Sequence, residues 1–281
     1  MTASIASSSY GKACVHLVKV ERGPERDQFK DVTVEVRLAG AFEAVYRDGD
    51  NSGLLSTDAM TNAVYALGRR RSLDPPEGFA EALARDLMEA CPSARRAHVS
   101  LAVRTWEPLA AGGVSYPRAF ARAGAELRTA CATVEEGRVV VEAGLEGAPL
   151  VRTAGSSFRG FLRGRYGTLQ ETDDRLLATD VFARWRYGRT PLDPCVSFGA
   201  VRTALLQTFA SHPSESLQHT LYAMGEAAFA ACADVEAIRL ALPNLHHLLV
   251  DLAPFGLDNP NQVFVPSREP RGVVEAELTR S

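Results

Sequence analysis

The sequence predicts an α+β protein in which pairs of helices cover one face of antiparallel sheets. Three observations indicate this class: apolar residues alternating at period two, apolar stripes at helical period, and an element order that occurs twice along the chain. With 281 residues, 46% of them hydrophobic, the chain can bury a large core. We expect two similar domains, residues 1–140 and 141–281.

The first half opens with two strands, in the segments ACVHLVKVERG and KDVTVEVRLAGAF. The second segment carries an apolar side chain at every other position, as a half-buried antiparallel strand requires. These positions are Val32, Val34, Val36 and Leu38.

Two helices follow. The first is predicted to begin near Thr57, and its apolar stripe consists of Met60, Val64 and Leu67. Ser, Thr and Asp satisfy unpaired N–H groups at helix starts, so Thr57 and Asp58 either form a simple cap or carry chemistry. The second helix is FAEALARDLMEAC. Its predicted apolar face consists of Phe79, Ala82, Leu83, Leu87 and Ala90.

The first half ends with a strand in AHVSLAVRTWE, where Val99, Leu101 and Val103 alternate, and with a β-hairpin. The hairpin joins RTACATV to RVVVEAG through the turn Glu135-Glu136-Gly137. The order is therefore strand, strand, helix, helix, strand, strand.

The second half repeats this order. TDVFARWRY is a strand with Val181, Ala183, Trp185 and Tyr187 on one face. Helices are predicted around residues 201–209 and from Ser216 to Cys232, and AIRLALPNLHHLLVDL is predicted to return as one strand. The tetrapeptides at 65–68 and 222–225, Tyr-Ala-Leu-Gly and Tyr-Ala-Met-Gly, occupy matching places, so Thr57 and Leu217-Gln218 should both lie near a helix N-terminus.

Charge, cysteine spacing and the chain ends argue against several function classes. A net charge of −3 gives no electrostatic reason to expect a nucleic acid partner. Five widely spaced cysteines without a C-x-x-C pair argue against a disulfide framework and a zinc site. The N-terminus does not have the order of a signal peptide, the C-terminus is not a peroxisomal address, and no apolar run reaches the length of a membrane span. We expect a cytoplasmic protein without a membrane partner.

Five blocks, taken together, resemble the urate oxidase (uricase) family. They are YGKACVHLVKV at 10–20, GDNSGLLSTDAMTNAVYAL at 49–67, SSFRGFLRGRYGTLQETDDRLLATDV at 156–181, SLQHTLYAMGE at 216–226 and LPNLHHLLVDL at 242–252. The blocks occur in the family's order and cover nearly the whole chain. One departure lies just before Phe158, where the family's usual Lys-Thr-Thr run reads Arg152-Thr153-Ala154.

The resemblance implies two tandem tunnelling-fold (T-fold) domains whose sheets join into a barrel in the oligomer. It also implies a homotetramer with active sites between subunits, and no cofactor or metal. The implied reaction converts urate, O2 and water to 5-hydroxyisourate and hydrogen peroxide.

Residue by residue, the resemblance implies two sets of site residues. The catalytic set is Lys12, Thr57 and His246. The urate-binding set is Asp58, through its backbone N–H, with Phe158, Arg175, Leu217, Gln218 and Asn244.

The implied binding residues suit a flat anion. Phe158 can stack on the purine plane, although alone it would be interpreted as a core aromatic. The planar guanidinium of Arg175 matches one urate edge, although by default it is a solvated charge beside Asp173 and Asp174. The paired donor and acceptor of Gln218 suit the opposite edge. N–H groups at helix N-termini suit the anionic oxygens.

The implied catalytic residues suit proton transfer. Only three of the 31 basic residues are lysines, and Lys, unlike Arg, can lose its proton when buried. Thr57 needs a neighbour that accepts its proton, and Lys12 can serve if burial lowers its pKa. His246 would complete the relay, and Asn244 would place O2 or water above the ring.

Other functions remain open on the sequence alone. His246 and His247, with His219 or His212, invite a metal interpretation, but adjacent strand residues point to opposite faces. The chain could also be another tunnelling-fold enzyme acting on a pterin or purine, a class that generally needs zinc, or a non-catalytic scaffold with this fold.

Overall fold

The structure is a computed structural model that describes residues 3–280, with only the backbone of Arg268. The chain divides into two compact units. The first reaches to Gly144 and includes Arg186–Cys195, and the second contains Leu145–Trp185 and the chain from Val196 onward. The domain boundary expected from the sequence, at residue 140, stays a prediction.

The first half of the chain forms five strands and three helices. They are β1 (Tyr10–Glu21), β2 (Gln28–Gly40), α1 (Glu43–Arg47), α2 (Thr57–Arg70), α3 (Pro76–Ala90), β3 (Ala94–Ala111), β4 (Val114–Glu135) and β5 (Arg138–Arg152). The strands lie in the order β1-β2-β3-β4-β5, and β1 to β4 pair antiparallel. Helix α2 packs on β1, and α3 packs on β3 and β4.

The alternating pattern of β2 is confirmed, because the four apolar side chains predicted to face inward are all at most 1% exposed. The stripe of α2 is buried as well. On α3 the burial of Phe79, Leu83 and Leu87 is confirmed, whereas Ala90 is exposed at the end of the helix. The predicted hairpin turn is present, with Glu136 and Gly137 both at positive φ, as a tight two-residue turn requires.

The second half forms two helices and five strands. They are β6 (Leu177–Tyr187), α4 (Pro194–Ser211), α5 (Leu217–Ala231), β7 (Val235–Ala241), β8 (Asn244–Leu249), β9 (Phe264–Gly272) and β10 (Glu275–Thr279). Strands β6, β7 and β10 are neighbours in that order, and β8 pairs with β9 as a separate ribbon. Helix α5 packs on β7 and β10. The alternating face of β6 is buried as predicted.

The prediction of one strand across AIRLALPNLHHLLVDL is wrong. The chain forms β7, leaves the sheet at Leu242 and Pro243, and continues as β8 in a different sheet. Proline has no N–H to donate to a ladder, which explains why the strand ends there. The break places Asn244 and His246 on a ribbon of their own.

The repeat predicted from the two matching tetrapeptides has a structural counterpart. A Cβ added to Gly68 of α2 would come within 2.7 Å of Leu17 on β1, and a Cβ added to Gly225 of α5 would come equally close to Leu278 on β10. Each glycine therefore lets its helix approach the outermost strand closely. The predicted α+β class, with antiparallel sheets and helices on one face, is confirmed. Over the part of the chain described, no helix is long and apolar enough to cross a membrane.

Candidate active site

Ser56, and not Thr57, caps helix α2. The backbone of Ser56 is extended, and its hydroxyl accepts the N–H of Ala59 at 3.1 Å. Thr57 is the first helical residue and is exposed, and its hydroxyl has no hydrogen-bond partner within residues 3–280. The cap interpretation of Thr57 is therefore wrong, and its hydroxyl is available for other chemistry.

Strand β1 carries Lys12 next to a β-bulge. Lys12 pairs with Val36, whereas Val15 pairs with Val34. Between these two pairs the chain advances by three residues on β1 but by only two on β2. The extra residue is accommodated at Cys14, whose φ is 58°. Without the bulge, Lys12 and Val15 would point to opposite faces of the sheet. Lys12 lies opposite Val36, which is fully buried under the helices. The bulge therefore places Lys12 on the face of the sheet that the helices cover.

The three lysines have different surroundings. Lys19 donates to the carbonyl of Arg71 at 2.7 Å and pairs with Glu21 at 3.0 Å. Lys30 forms an ion pair with Asp74. Lys12 is exposed, and no described residue forms a hydrogen bond or ion pair with its ammonium group. Lys12 is therefore not buried in the single chain, contrary to expectation. Unlike Lys19 and Lys30, it has no partner among the described residues that would give it a structural role.

The start of α5 repeats the start of α2. Ser216 is the N-cap, and its hydroxyl accepts the N–H of His219 at 3.1 Å. Leu217 is buried at the first helical position, and Gln218 follows with an exposed side chain. At both helix starts the first two N–H groups have no acceptor among the described residues, and these include the N–H groups of Asp58 and Leu217. The predicted placement of both segments at helix N-termini is confirmed.

Phe158 and Arg175 lie together in the second unit. The guanidinium carbon of Arg175 is 4.9 Å from the centroid of the Phe158 ring. Both residues are half-buried, and Nε of Arg175 is buried without a hydrogen-bond partner. Burial lowers the pKa of Arg175.

The two aspartates before Arg175 do not neutralise it. Asp173 forms an ion pair with Arg159, and Asp174 accepts the N–H of Gly155 at 2.8 Å. The default interpretation of Arg175, as a solvated charge beside two aspartates, is therefore wrong. Its guanidinium lies half-buried beside an aromatic face without an acid partner in the described chain, which is a suitable arrangement for an anionic aromatic ligand.

Backbone hydrogen bonds tie this pair to the start of α5. The N–H of Arg175 donates to the carbonyl of Ser156 at 2.8 Å, and the N–H of Ser157 donates to the carbonyl of Ser214 at 2.8 Å. Ser214 in turn receives a hydrogen bond from the hydroxyl of Thr220, within α5, at 2.8 Å. The structure therefore brings together Phe158, Arg175 and the helix start that carries Leu217 and Gln218.

Arg152, which departs from the family's pattern, anchors the same region. Its Nη1 donates to the carbonyls of Phe209 at 3.1 Å and His212 at 2.5 Å, and its Nη2 donates to the carbonyl of Gly155 at 2.6 Å. The guanidinium thus links the end of α4 to the loop that leads to Phe158. Here an arginine serves as a structural anchor.

Asn244 and His246 lie two positions apart on β8 and are half-buried. His247 pairs with Pro266 of β9, and its ring Nδ1 donates to the carbonyl of Leu245 at 3.1 Å. No hydrogen bond or ring contact of the described residues joins Asn244 or His246 to Phe158 or Arg175. Within residues 3–280, no three His, Cys, Asp or Glu side chains are grouped so that they could hold a metal ion.

The nine residues implied by the resemblance fall into two groups. Lys12, Thr57 and Asp58 belong to the first unit, and the second unit contains Phe158, Arg175, Leu217, Gln218, Asn244 and His246. Sequence reasoning missed the residues that hold these groups in place, such as Tyr10, Ser156 and Asp174. The partners in these contacts lie 18 to 45 positions away along the chain, so no local pattern could have found them.

The sequence profile of the uricase family matches the chain in two stretches, residues 8–133 and 141–275. The uricase of Arthrobacter globiformis is 39% identical over 98% of this chain and 90% of its own length. The uricase of Aspergillus flavus is 31% identical over 99% of this chain and 97% of its own length.

Solved structures give the same result. The crystal structure of the Arthrobacter globiformis uricase matches with a TM-score of 0.95 and 38% identity, over all of this chain and 96% of that one. The urate oxidase of Bacillus sp. TB-90 matches in fold, with a TM-score of 0.84 at 21% identity, over 97% of this chain and all of that one. The tunnelling fold implied by the resemblance is thereby confirmed.

Proposed function

The chain belongs to the uricase family, and from this membership and the site residues we propose that it is a cofactor-independent urate oxidase. Urate gives up two electrons to O2, water adds to the purine, and the products are 5-hydroxyisourate and hydrogen peroxide. One observation carries the proposal most directly: the half-buried guanidinium of Arg175 lies over Phe158 without an acid partner in the described chain.

Urate binding would use the second unit together with the start of α2 from the first unit. The purine stacks on Phe158, while Arg175 and Gln218 bind its two edges with complementary donors and acceptors. The N–H groups at the starts of α2 and α5 bind the anionic oxygens. The buried Nε of Arg175 supports this pose, because a ligand edge supplies the acceptor that this donor lacks in the single chain.

Proton transfer would use Lys12, Thr57 and His246. Thr57 passes a proton between the substrate side and Lys12, and His246 completes the relay during peroxide formation. Asn244 holds O2 or water above the ring. Two findings support this relay: the Thr57 hydroxyl is not used as a cap, and Lys12 alone among the lysines has no structural partner in the described chain.

The two groups of residues would meet between subunits. β1 is the outermost strand of the first unit and β10 that of the second, so each has backbone groups available for a further strand. Val18 of β1 is 46% exposed, and Tyr222 of α5, near β10, is 56% exposed. We expect β1 of one copy to pair with β10 of another, closing the sheets into a barrel in a homotetramer and burying Lys12 at the contact. The two stretches of family match also support tandem domains near residues 1–140 and 141–281.

The function is tested by measuring urate-dependent oxygen consumption and peroxide release before and after exhaustive chelation. We expect full activity in both conditions, because urate itself donates the electrons. Activity lost on chelation and restored by one particular metal would contradict the cofactor-free mechanism. Complete absence of urate oxidation would favour a scaffold without catalysis.

A further inference from the structure

Tyr10 makes two hydrogen bonds to a single distant residue. Its hydroxyl donates to the carbonyl of Leu55 at 3.0 Å and accepts the N–H of Leu55 at 3.1 Å. The ring is half-buried and meets the ring of the buried Phe42 edge to face, at 4.9 Å between centroids. Burial raises the pKa of Tyr10 to about 12, so the hydroxyl stays protonated and keeps both roles at neutral pH. We call this pair of hydrogen bonds the Tyr10 tether.

The tether joins the two segments that carry the catalytic residues of the first unit. Tyr10 lies two positions before Lys12 on β1, and Leu55 lies two positions before Thr57 at the start of α2. Tyr10 pairs with Leu38 and Lys12 with Val36, and both partners are fully buried under the helices. Tyr10 and Lys12 therefore project from the same face of β1, the face on which α2 packs.

The residue between them keeps this stretch in place. A Cβ on Gly11 would collide with the carbonyl oxygen of Val36, so β1 and β2 approach closely at this position. With the strand fixed against β2 and the tether fixed to Leu55, the backbone that carries Lys12 and the backbone that leads into Thr57 are both held. The segment from 51 to 55 is also held locally: the N–H of Ser52 donates to Asp50 at 2.9 Å, the N–H of Leu54 donates to the carbonyl of Asn51, and Leu54 and Leu55 pack against the core. The Tyr10 tether is the link from this segment to β1.

We propose that Tyr10 is a positioning residue for the proton relay, because its tether to Leu55 fixes Lys12 and Thr57 relative to each other. This inference rests on the proposed function. Tyr10 itself exchanges no proton with the substrate. Its contribution is geometric, and a displacement of about 1 Å between relay groups is enough to cost up to roughly 100-fold in rate.

The test replaces Tyr10 by Phe, which keeps the ring and its contact with Phe42 but removes both hydrogen bonds. Tyr65→Phe is the matched control, because the Tyr65 hydroxyl also links α2 to β1, through the carbonyl of His16 at 3.4 Å, away from the relay. We expect Tyr10→Phe to lower kcat for urate by about 10-fold or more, with the Kd for xanthine, a purine without the C8 oxygen, changed less than about twofold. Tyr65→Phe should leave both quantities within about twofold.

The outcomes separate the two proposals. An unmodified chain that does not oxidise urate would overturn the proposed function and the role of Tyr10 with it. An active parent with an unchanged kcat in Tyr10→Phe would overturn the role of Tyr10 alone. Equal losses in kcat and xanthine affinity would also overturn it, because they would indicate general loosening. In the Thr57→Ala background, Tyr10→Phe should cause no further loss of kcat, and an additive loss would contradict action through Thr57.

A measurement on the unmodified protein covers the case in which Tyr10→Phe does not fold. If the tether exists, the amide of Leu55 exchanges slowly with solvent, because its hydrogen is bonded to the Tyr10 hydroxyl. The exposed amide of Gly53, which has no acceptor among the described residues, is the reference. Exchange of the Leu55 amide as fast as that of Gly53 would overturn the proposal.

Discussion

At the scale of single residues, Ser56 and Thr57 have different roles, although from the sequence either could be the helix cap. Ser56 accepts the helix N–H, and the Thr57 hydroxyl has no partner in the described structure. The two functions can therefore be tested by neighbouring substitutions that remove the same chemical group.

Thr57→Ala should lower the turnover of urate by roughly 100-fold or more, the usual scale for a general acid–base group, with little change in stability. Ser56→Ala is the matched control and should cost about 1 kcal/mol of stability while leaving turnover within a few-fold of the parent. Thr57→Ser should retain much of the activity. Lys12→Met should resemble Thr57→Ala, and the double variant should lose little more than either single one. Near-normal turnover by Thr57→Ala would remove Thr57 from the relay.

The clamp residues should affect binding. Arg175→Ala and Gln218→Ala should each weaken purine analogues such as xanthine by roughly 1–3 kcal/mol, the range for a buried hydrogen-bonding group left unmatched. Arg159→Ala is a suitable control, since Arg159 lies on the same loop but pairs with Asp173 at the surface. Calorimetric titration measures the change. Unchanged affinity in both clamp variants would contradict binding from two edges.

Residue roles were predictable only in part. Ser56, Thr57 and Asp58 are all good capping residues, so only the backbone conformation distinguishes the cap from the residues that follow it. The role of Arg175 depended on which partner its neighbouring aspartates take, and Asp174 bonds backbone groups 18 and 19 positions away. The site residues came from the family resemblance. The interpretation of Arg175 as a solvated charge could be rejected only from contacts between residues far apart in the sequence.

At the scale of elements, Asp31 connects three strands of the first sheet. It accepts hydrogen bonds from His16 of β1 at 2.7 Å, from Trp106 of β3 at 3.0 Å and from Arg104 of β3 at 3.3 Å. Burial alone would raise the pKa of Asp31, but these hydrogen bonds and the charge of Arg104 hold it below its usual range.

This geometry predicts an acid-sensitive sheet. In the window between the ordinary aspartate pKa, about 4, and the lower folded value, the unfolded chain binds more protons, so stability falls as pH decreases through that window. Asp31→Asn should therefore be less stable than the parent at pH 7 but show a flatter decline below about pH 4. The exposed Asp86→Asn is the control. Denaturant unfolding at several pH values measures both, and parallel pH profiles for parent and Asp31→Asn would contradict the assignment.

Element order was more predictable than element ends. Alternation and helical stripes predicted β2, β6, α2, α3 and α5 because these elements bury one face against a core. The break at Pro243 and the bulge at Cys14 were not predicted. Both depend on which strand lies next to which, and the bulge decides the face on which Lys12 lies.

At the scale of the whole molecule, we propose that the site is complete only in an oligomer. One chain holds Lys12 and Thr57 in one compact unit, and Phe158 and Arg175 in the other. The isolated chain leaves Lys12 exposed and Arg175 without an acid partner among the described residues. Periodicity alone does not predict which strands lie at the edges, because edge strands and their exposed apolar residues are recognised only once strand order is known.

The most direct measurement is complementation between a variant impaired in turnover and a variant impaired in binding, assayed at a urate concentration far below the KM of the binding variant. Thr57→Ala and Arg175→Ala are unfolded together, refolded as an equimolar mixture and assayed for urate oxidation, with separately refolded proteins mixed afterwards as the control. If sites form between copies, random assembly gives about one site in four with both intact halves, and roughly a quarter of the parent activity should return. The control should show only the residual activity of the two separate variants. A co-refolded mixture that contains hybrid oligomers but regains no activity would contradict a site shared between subunits.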